Sequence, residues 1–476
     1  MNSKAENKKV KDKVQKNTVG KRTGIIILSA AVLLVIAAAV IFAISGSGSS
    51  ETGLMITDKD GNEIIERLKS PDGEINTENA DYFSFIDIAI SEAVSIIEEK
   101  KGLEGEKALR WLIKNGCTLE TVFDKEIFPE IVPAYFASEA ANSDFGFVMT
   151  DISGRIICTY SSSDINNFAV IKTQPYSSIK PLSVYAPAIE SGLITYSSVF
   201  FDSPYKTIVN ENGQEVEWPQ NGTGYFSHKD VSIRDAIKLS LNTIADKCLK
   251  SKSAYSSLDF LQNKLGADVS AEAEKFNIEG EEEVLSQLAL GYLIKGFSPV
   301  EMAGFYQMFG TLGKITEPYA VVSIKNANGK VIYNAEPQST QVISEETAYI
   351  MNKLLAAPLE RDGTAARAAI PGVPIIGKTG TGDDYLGCWF VGLTPEYVFS
   401  LWHSGEKIRR NVTTDIFRSF ASGISFDKTK EFEKSENVRE LDFCSISGHL
   451  ASDGCPLTET GYYAADKLPD ICSLHN

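Results

Sequence analysis

In the stretch FIDIAISEAVSIIEEKKG, residues 85–102, apolar side chains recur at spacings of three and four, which predicts an amphipathic helix; GEKALRWLIKNG, 105–116, predicts a second that ends at glycine. At residue 145 the period changes to two. FGFVMTDISGRIICTYSS, 145–162, alternates around DISG and predicts a β-hairpin. Residues 178–193 read as a helix opening just after Ser177, with Pro181 in its first turn and Pro187 as a kink. VSIRDAIKLSLNTIADKCLKS, 231–251, reads as two helical pieces meeting near SLN, and 285–312 and 345–358 are mainly helical. VPIIGKTGTGDDYLGCWFVGLTPEYVFSLWH, 373–403, predicts three strands split by GDDY and TPE, an antiparallel meander. A hairpin, a helical middle and a final meander define an α+β domain whose sheet combines both ends of the sequence, with helices on both sides.

The N-terminus is different in kind. GIIILSAAVLLVIAAAVIFAIS, residues 24–45, carries no charge and as a helix spans roughly 33 Å, enough for a bilayer core. The run is longer than the apolar core of a cleaved signal peptide, so a retained transmembrane helix is the expectation. Residues 1–23 hold eight basic and two acidic residues, a net +6, which places them in the cytoplasm and the rest outside the cell, in a single-pass topology. Against −17 for the whole chain, that tail leaves −23 on the remainder. Such acidity argues against nucleic acid as a partner, since a phosphate backbone needs a basic footprint. SGSGSSETG, 45–53, is linker by composition. The expected organisation is a basic tail (1–23), membrane helix (24–45), linker and small helical pedestal (46–136), main α+β domain (137–425) and a cysteine-containing tail (426–476).

Candidate chemistry begins with Ser177 and Lys180 in QPYSSIKPL. The pattern SxxK also occurs at Ser203, Ser404 and Ser425, so context must discriminate. In a helix, positions three apart share a face, and only Ser177 opens an apolar-periodic helix. Its amide then sits at the positive end of the helix dipole. Ser240-Leu241-Asn242 is a second candidate, at the turn between helices. The third is Lys378-Thr379-Gly380-Thr381, on a predicted strand; KTG is expected by chance only roughly 0.1 times in a chain of this size.

SxxK, SxN and KTG in this order form the motif set of penicillin-binding proteins and β-lactamases. Residues from about 137 to 425 resemble the transpeptidase domain of class A penicillin-binding proteins. The likeness extends to YLGCWFVGLTP after KTGT, to LALGYLIKGFSPVEMAGFYQMF, and to the tail CSISGHLASDGCPLTETGYYAADKLPDICSLH. It implies a serine D,D-transpeptidase that acylates Ser177 with the D-Ala-D-Ala end of a peptidoglycan stem peptide and passes the acyl group to another stem's amine. Penicillins and other β-lactams would trap the same serine, and no cofactor is implied. Lys180, neutral through burial beside Lys378, is the implied base. Ser240 would relay the proton, Asn242 would orient Lys180 and the substrate, and Lys378, Thr379 and Thr381 would hold the terminal carboxylate beside Gly380. The amides of Ser177 and Thr381 would form the oxyanion hole.

The chain departs from the family in two places. Tyr176 stands where glycine is usual, and about 90 residues separate the apolar run from the transpeptidase region, too few for the family's glycosyltransferase domain. A separate glycan-strand polymerase is therefore an expected partner. Three rival readings share the fold: a D,D-carboxypeptidase that uses water as acceptor, a β-lactamase, and a non-catalytic scaffold of wall synthesis. Seven cysteines leave at least one unpaired. Cys444, Cys455, Cys472 and His475 have the ligand types of a Cys3His zinc site, but outside the cell a disulfide between two of the cysteines is favoured, so no metal is expected.

Overall fold

The computed structural model describes residues 53–65, 67–69, 82–127, 143–209, 212–383, 386–405 and 412–475. The apolar run 24–45 lies outside them, and among the described residues no helix is long and apolar enough to cross a membrane.

Five antiparallel strands make the central sheet, in the order Ile376–Thr381, Cys388–Leu393, Tyr397–Ser404, Asp144–Asp151 and Ile156–Ser161. The meander and the hairpin thus join through one pairing, Phe147 opposite Leu401 at its middle. Helix Val412–Ala421 covers one face, with Phe417 and Phe420 packed edge-on or tilted against Phe147, Phe390 and Phe399. Helix Pro299–Tyr306 lies on the other face, opened by a capping box between Ser298 and Glu301. With both faces covered, nearly every residue of the three inner strands is buried.

The pedestal helices are Phe83–Lys101, stopped by a left-handed Gly102 whose N–H reaches Glu98 O, and Glu106–Lys114. They differ from the expected all-helical unit by packing with a four-stranded sheet. In it Met55–Thr57 runs parallel to Thr118–Thr121, which pairs with Val321–Lys325 and then Val331–Asn334. Two of these strands come from within residues 137–425. Strands of three to five residues carry too little alternation to be read locally, and their pairing is decided by distant sequence.

Buried polar contacts fasten the long pedestal helix. Asn167 donates to Ser84 O at 2.9 Å and to Asp87 Oδ2 at 2.8 Å, and accepts from Ser84 Oγ at 2.8 Å. Glu92 Oε2 accepts from the amides of Ala320 at 2.7 Å and Val321 at 3.2 Å. Burial pushes the Asp87 carboxyl up to about 6 and the Glu92 carboxyl up to about 8. A raised carboxyl binds its proton more tightly in the folded chain, so its contribution to stability is present below the unfolded value and falls as pH rises through the folded one. Melting temperatures across pH 5 to 9 are expected to decline, and Glu92→Gln is expected to flatten the upper part of that decline; an identical slope in the variant would exclude Glu92 as its source.

Candidate active site

Ser177 does not open a regular α-helix. The chain takes a 3-10 turn over Tyr176–Ile179, a π-helical turn over Pro181–Tyr185 and α-helix only over Ala186–Glu190. The turn therefore begins before Ser177 rather than after it. Pro187 has no N–H to give the carbonyl of Ser183, four residues back, and the hydroxyl of Ser257 donates to that carbonyl instead, at 2.7 Å. The two prolines, read in the sequence as a first-turn residue and a kink, lie in a helix that is irregular up to Tyr185 and α-helical only beyond it.

Ser240 ends helix Ile233–Leu239 in a left-handed conformation, and Asn242 begins helix Asn242–Lys252. This turn faces Lys180. The Lys180 ammonium donates to Asn242 Oδ1 at 2.6 Å, to Ser240 O at 3.0 Å and to Leu241 O at 3.4 Å. Lys378 Nζ donates to Ser240 Oγ at 2.8 Å and to Thr379 O at 3.0 Å. Both lysines are fully buried, so one turn links two buried amines. Burial and, next, the charge of Lys378 hold the Lys180 ammonium well below its usual pKa, while Asp246 opposes them. Ser177 is half-buried, and no hydrogen bond joins its hydroxyl to Lys180 among the described residues.

Strand alternation puts Lys378 and Gly380 on the side that meets the Ser177 turn, and Thr379 and Thr381 on the other, each half-buried. The strand approaches that turn so closely that a Cβ on Gly380 would lie 2.4 Å from Pro175 O and 3.1 Å from Ser178 N. The backbone brought near by Gly380 is thus the chain's own. Trp389, opposite Gly380, donates its indole N–H to Gln174 O at 2.8 Å and fixes the same contact from the next strand. Gly291, in LALGYLIKGF, plays the matching part below: a Cβ there would meet Tyr176 O at 2.1 Å.

Tyr176 itself has φ 48°, a conformation natural to glycine. Its ring lies over Gly382 and Gly387, edge-on to Tyr292 at 5.6 Å, and Tyr292 OH donates to Asp383 at 3.1 Å. An aromatic wall therefore stands beside the end of the KTG strand.

Of the other SxxK serines, Ser203 accepts from Lys247 at 3.0 Å, Ser404 donates to Leu386 O, and Ser425 is exposed. Sequence reasoning missed Asn221 and Asp202. Asn221 Oδ1 accepts from the amides of Asn242 and Thr243, capping the second helix from a distant loop, and Asp202 Oδ1 accepts from Asn221 at 2.8 Å and from Thr243 at 2.6 Å. Asn242 Nδ2 donates to Gln220 O at 2.7 Å, which leaves its Oδ1 to face Lys180. PQNG reads only as a turn, with no local signal that it caps a remote helix.

A serine, two buried lysines and an SxN turn at the edge of an antiparallel sheet define an acyl-transfer type of site. The family model described as "Penicillin binding protein transpeptidase domain" matches residues 145–421, and the chain belongs to that family. It is 33% identical over 260 residues to penicillin-binding protein 1A of Clostridium acetobutylicum, covering 52% of this chain and 29% of that one. With penicillin-binding protein 4 of Bacillus subtilis it shares 28% identity over 378 residues, 75% of this chain and 57% of the relative. The chain spans about a third of the length of the clostridial relatives. The D,D-transpeptidase domain of a peptidoglycan glycosyltransferase from Eggerthella lenta has the same fold, with TM-score 0.57 and 20% identity over 79% of this chain and 98% of that one. Penicillin-binding protein 1A of Haemophilus influenzae superposes with TM-score 0.58 at 22% identity, over 70% of this chain and 55% of its own.

The contact at Gly380 makes a steric prediction. Gly380→Ala is expected to part the KTG strand from the Ser177 turn and lower stability by about 1–3 kcal/mol, read as a lower urea midpoint. An unchanged midpoint would mean that the two backbones do not touch in this way.

Proposed function

We propose that the protein is a serine D,D-transpeptidase of the bacterial cell wall, anchored by residues 24–45, with Ser177 as nucleophile and its catalytic domain outside the cell. The observation that carries this reading is the buried pair Lys180 and Lys378 linked through Ser240 and Asn242. A serine hydroxyl needs a base, and a lysine is a base at neutral pH only where its ammonium is disfavoured. Lys180, buried beside a second cation, meets that condition. A neutral Lys180 keeps its two shorter bonds, to Asn242 and Ser240 O, and releases the longest, to Leu241 O, freeing its lone pair for the Ser177 proton.

Attack on the D-Ala-D-Ala carbonyl forms the ester to Ser177 and breaks the peptide bond. The proton passes from Lys180 by way of Ser240 to the leaving D-alanine amine, and a second stem's amine reverses the step. The amides of Ser177 and Thr381, on the two backbones that Gly380 brings into contact, receive the oxyanion. Lys378 acts on the substrate carboxylate through its field and through Ser240, whereas Thr379 and Thr381, on the other face of the strand, supply direct hydrogen bonds. A separate polymerase would provide the glycan strands. β-Lactams acylate Ser177 in the same way.

A fluorescent penicillin is expected to label the full chain and Ser178→Ala, whereas Ser177→Ala is expected to lose the label completely; surviving label in Ser177→Ala would sink the assignment. A stem-peptide donor supplied with and without an amine acceptor then distinguishes transfer from hydrolysis, since a product that forms at the same rate without the amine would make the protein a carboxypeptidase. Removing the aromatic wall tests access. Tyr176→Gly is expected to raise the labelling rate severalfold for β-lactams with bulky side chains and less for small ones, while equal changes for both would show that Tyr176 does not line the entrance.

A further inference from the structure

The C-terminal module has almost no core of its own. Its only sheet is the hairpin of Val438–Cys444 with Thr458–Ala464, and an isolated two-stranded hairpin is marginal in water. Ile446, Leu457, Leu468, Ile471 and Leu474 are all exposed, so apolar burial does not hold the chain end down. Yet residues 470–475 are folded back with definite pairing: Leu450 N–H donates to Asp470 O at 2.9 Å and Cys472 N–H to Leu450 O at 2.7 Å.

What converges at this crossing is a set of ligands. The Sγ atoms of Cys444, Cys455 and Cys472 and a ring nitrogen of His475 all lie within 4.8 Å of one another. His475 Nδ1 is 3.4 Å from Cys444 Sγ and 3.4 Å from Cys472 Sγ. A tetrahedral zinc with Zn–S of about 2.3 Å and Zn–N of about 2.0 Å has S···N edges of about 3.5 Å and S···S edges of about 3.8 Å. The two S···N separations at His475, 3.4 Å each, are close to that S···N edge, and all four ligand atoms lie within 4.8 Å of one another. All seven cysteines are free thiols, so the disulfide favoured from sequence is not formed. A bridge would consume two sulfurs and leave the third and the imidazole aimed at it.

We propose that Cys444, Cys455, Cys472 and His475 bind one zinc ion as a closed structural site that fastens the chain end to the hairpin. Four protein ligands leave no open position, which makes the site structural rather than catalytic. Surrounding donors suit thiolates. Ser447 Oγ donates to Cys472 Sγ at 3.3 Å, and Ser452 N–H donates to Cys455 Sγ at 3.3 Å. Gly454, next to Cys455, admits the backbone of His475 where any Cβ would overlap its carbonyl oxygen.

The fastened module reaches the helix that follows the nucleophile. Ser197 Oγ donates to Gly448 O at 2.5 Å, Lys467 Nζ donates to Glu190 O at 2.9 Å, and Tyr196 packs edge-on against Phe443, Tyr462 and Tyr463. Zinc would therefore stabilise the far end of that helix without entering the chemistry. The inference is independent of the proposed transpeptidase activity.

The test is metal analysis of the full chain purified without chelator. About one zinc per chain is expected to survive dialysis, to fall to background in Cys472→Ser and His475→Ala, and to persist in Ser177→Ala. Because a ligand variant can misfold, a second measurement uses the wild-type chain: cobalt(II) exchanged into the site is expected to give the absorption of a tetrahedral thiolate complex. Zinc-free protein with two of the three C-terminal cysteines joined in a disulfide, or a zinc content that the Cys472 and His475 variants leave unchanged, would overturn the proposal.

Discussion

Two fully buried lysine amines within reach of one turn are the constraint on which the rest of the domain depends. An unpaired buried charge costs several kcal/mol, so the fold must bring oxygens to Lys180 and Lys378 or lose them to solvent. Those oxygens come from Ser240, Leu241, Asn242 and Thr379, on segments far apart in sequence. The turn is in turn held by Asn221 and Asp202. Loss of any layer of this network would strand a cation, which is why polar residues with no chemical role are as necessary to the site as the lysines.

The same crowding explains the backbone around Ser177. A strand, a turn and the loop after helix Glu281–Leu290 meet without intervening side chains, through Gly380 and Gly291. Tyr176, left-handed like a glycine but carrying a ring, departs from this economy of side chains. Its ring fills space over Gly382 and Gly387 instead, so the departure is absorbed by two further glycines and by Tyr292.

On either side of this domain, smaller units are fastened by buried polar contacts in addition to apolar side chains continuous with the main core. Asp87 and Glu92 fasten the pedestal helix, and Ser197, Glu190 and Tyr196 receive the C-terminal hairpin. The match to the family covers 145–421, so the pedestal helix and the C-terminal hairpin lie outside it while the groups that receive them, Asn167, Ala320, Glu190 and Ser197, lie within it.

The amino-acid sequence by itself determined the elements with strong periodicity: the pedestal helices, the hairpin at DISG, the meander through KTG, and the break at SLN. Local hydrophobic spacing suffices for these; motif order excludes Ser404 and Ser425 as the SxxK serine, and setting Ser203 aside rests on the helical pattern that follows Ser177. Tertiary structure alone decided the irregular winding after Ser177, the two strands that 321–334 contributes to the pedestal sheet, the cap that Asn221 supplies to a helix 21 residues away, and the gathering of Cys444, Cys455, Cys472 and His475. Each depends on groups distant along the chain whose mutual approach no local period encodes. The split of Lys378 from Thr379 and Thr381 lies between: alternation implies it, but only the contact of Gly380 with the Ser177 turn shows which side faces the nucleophile.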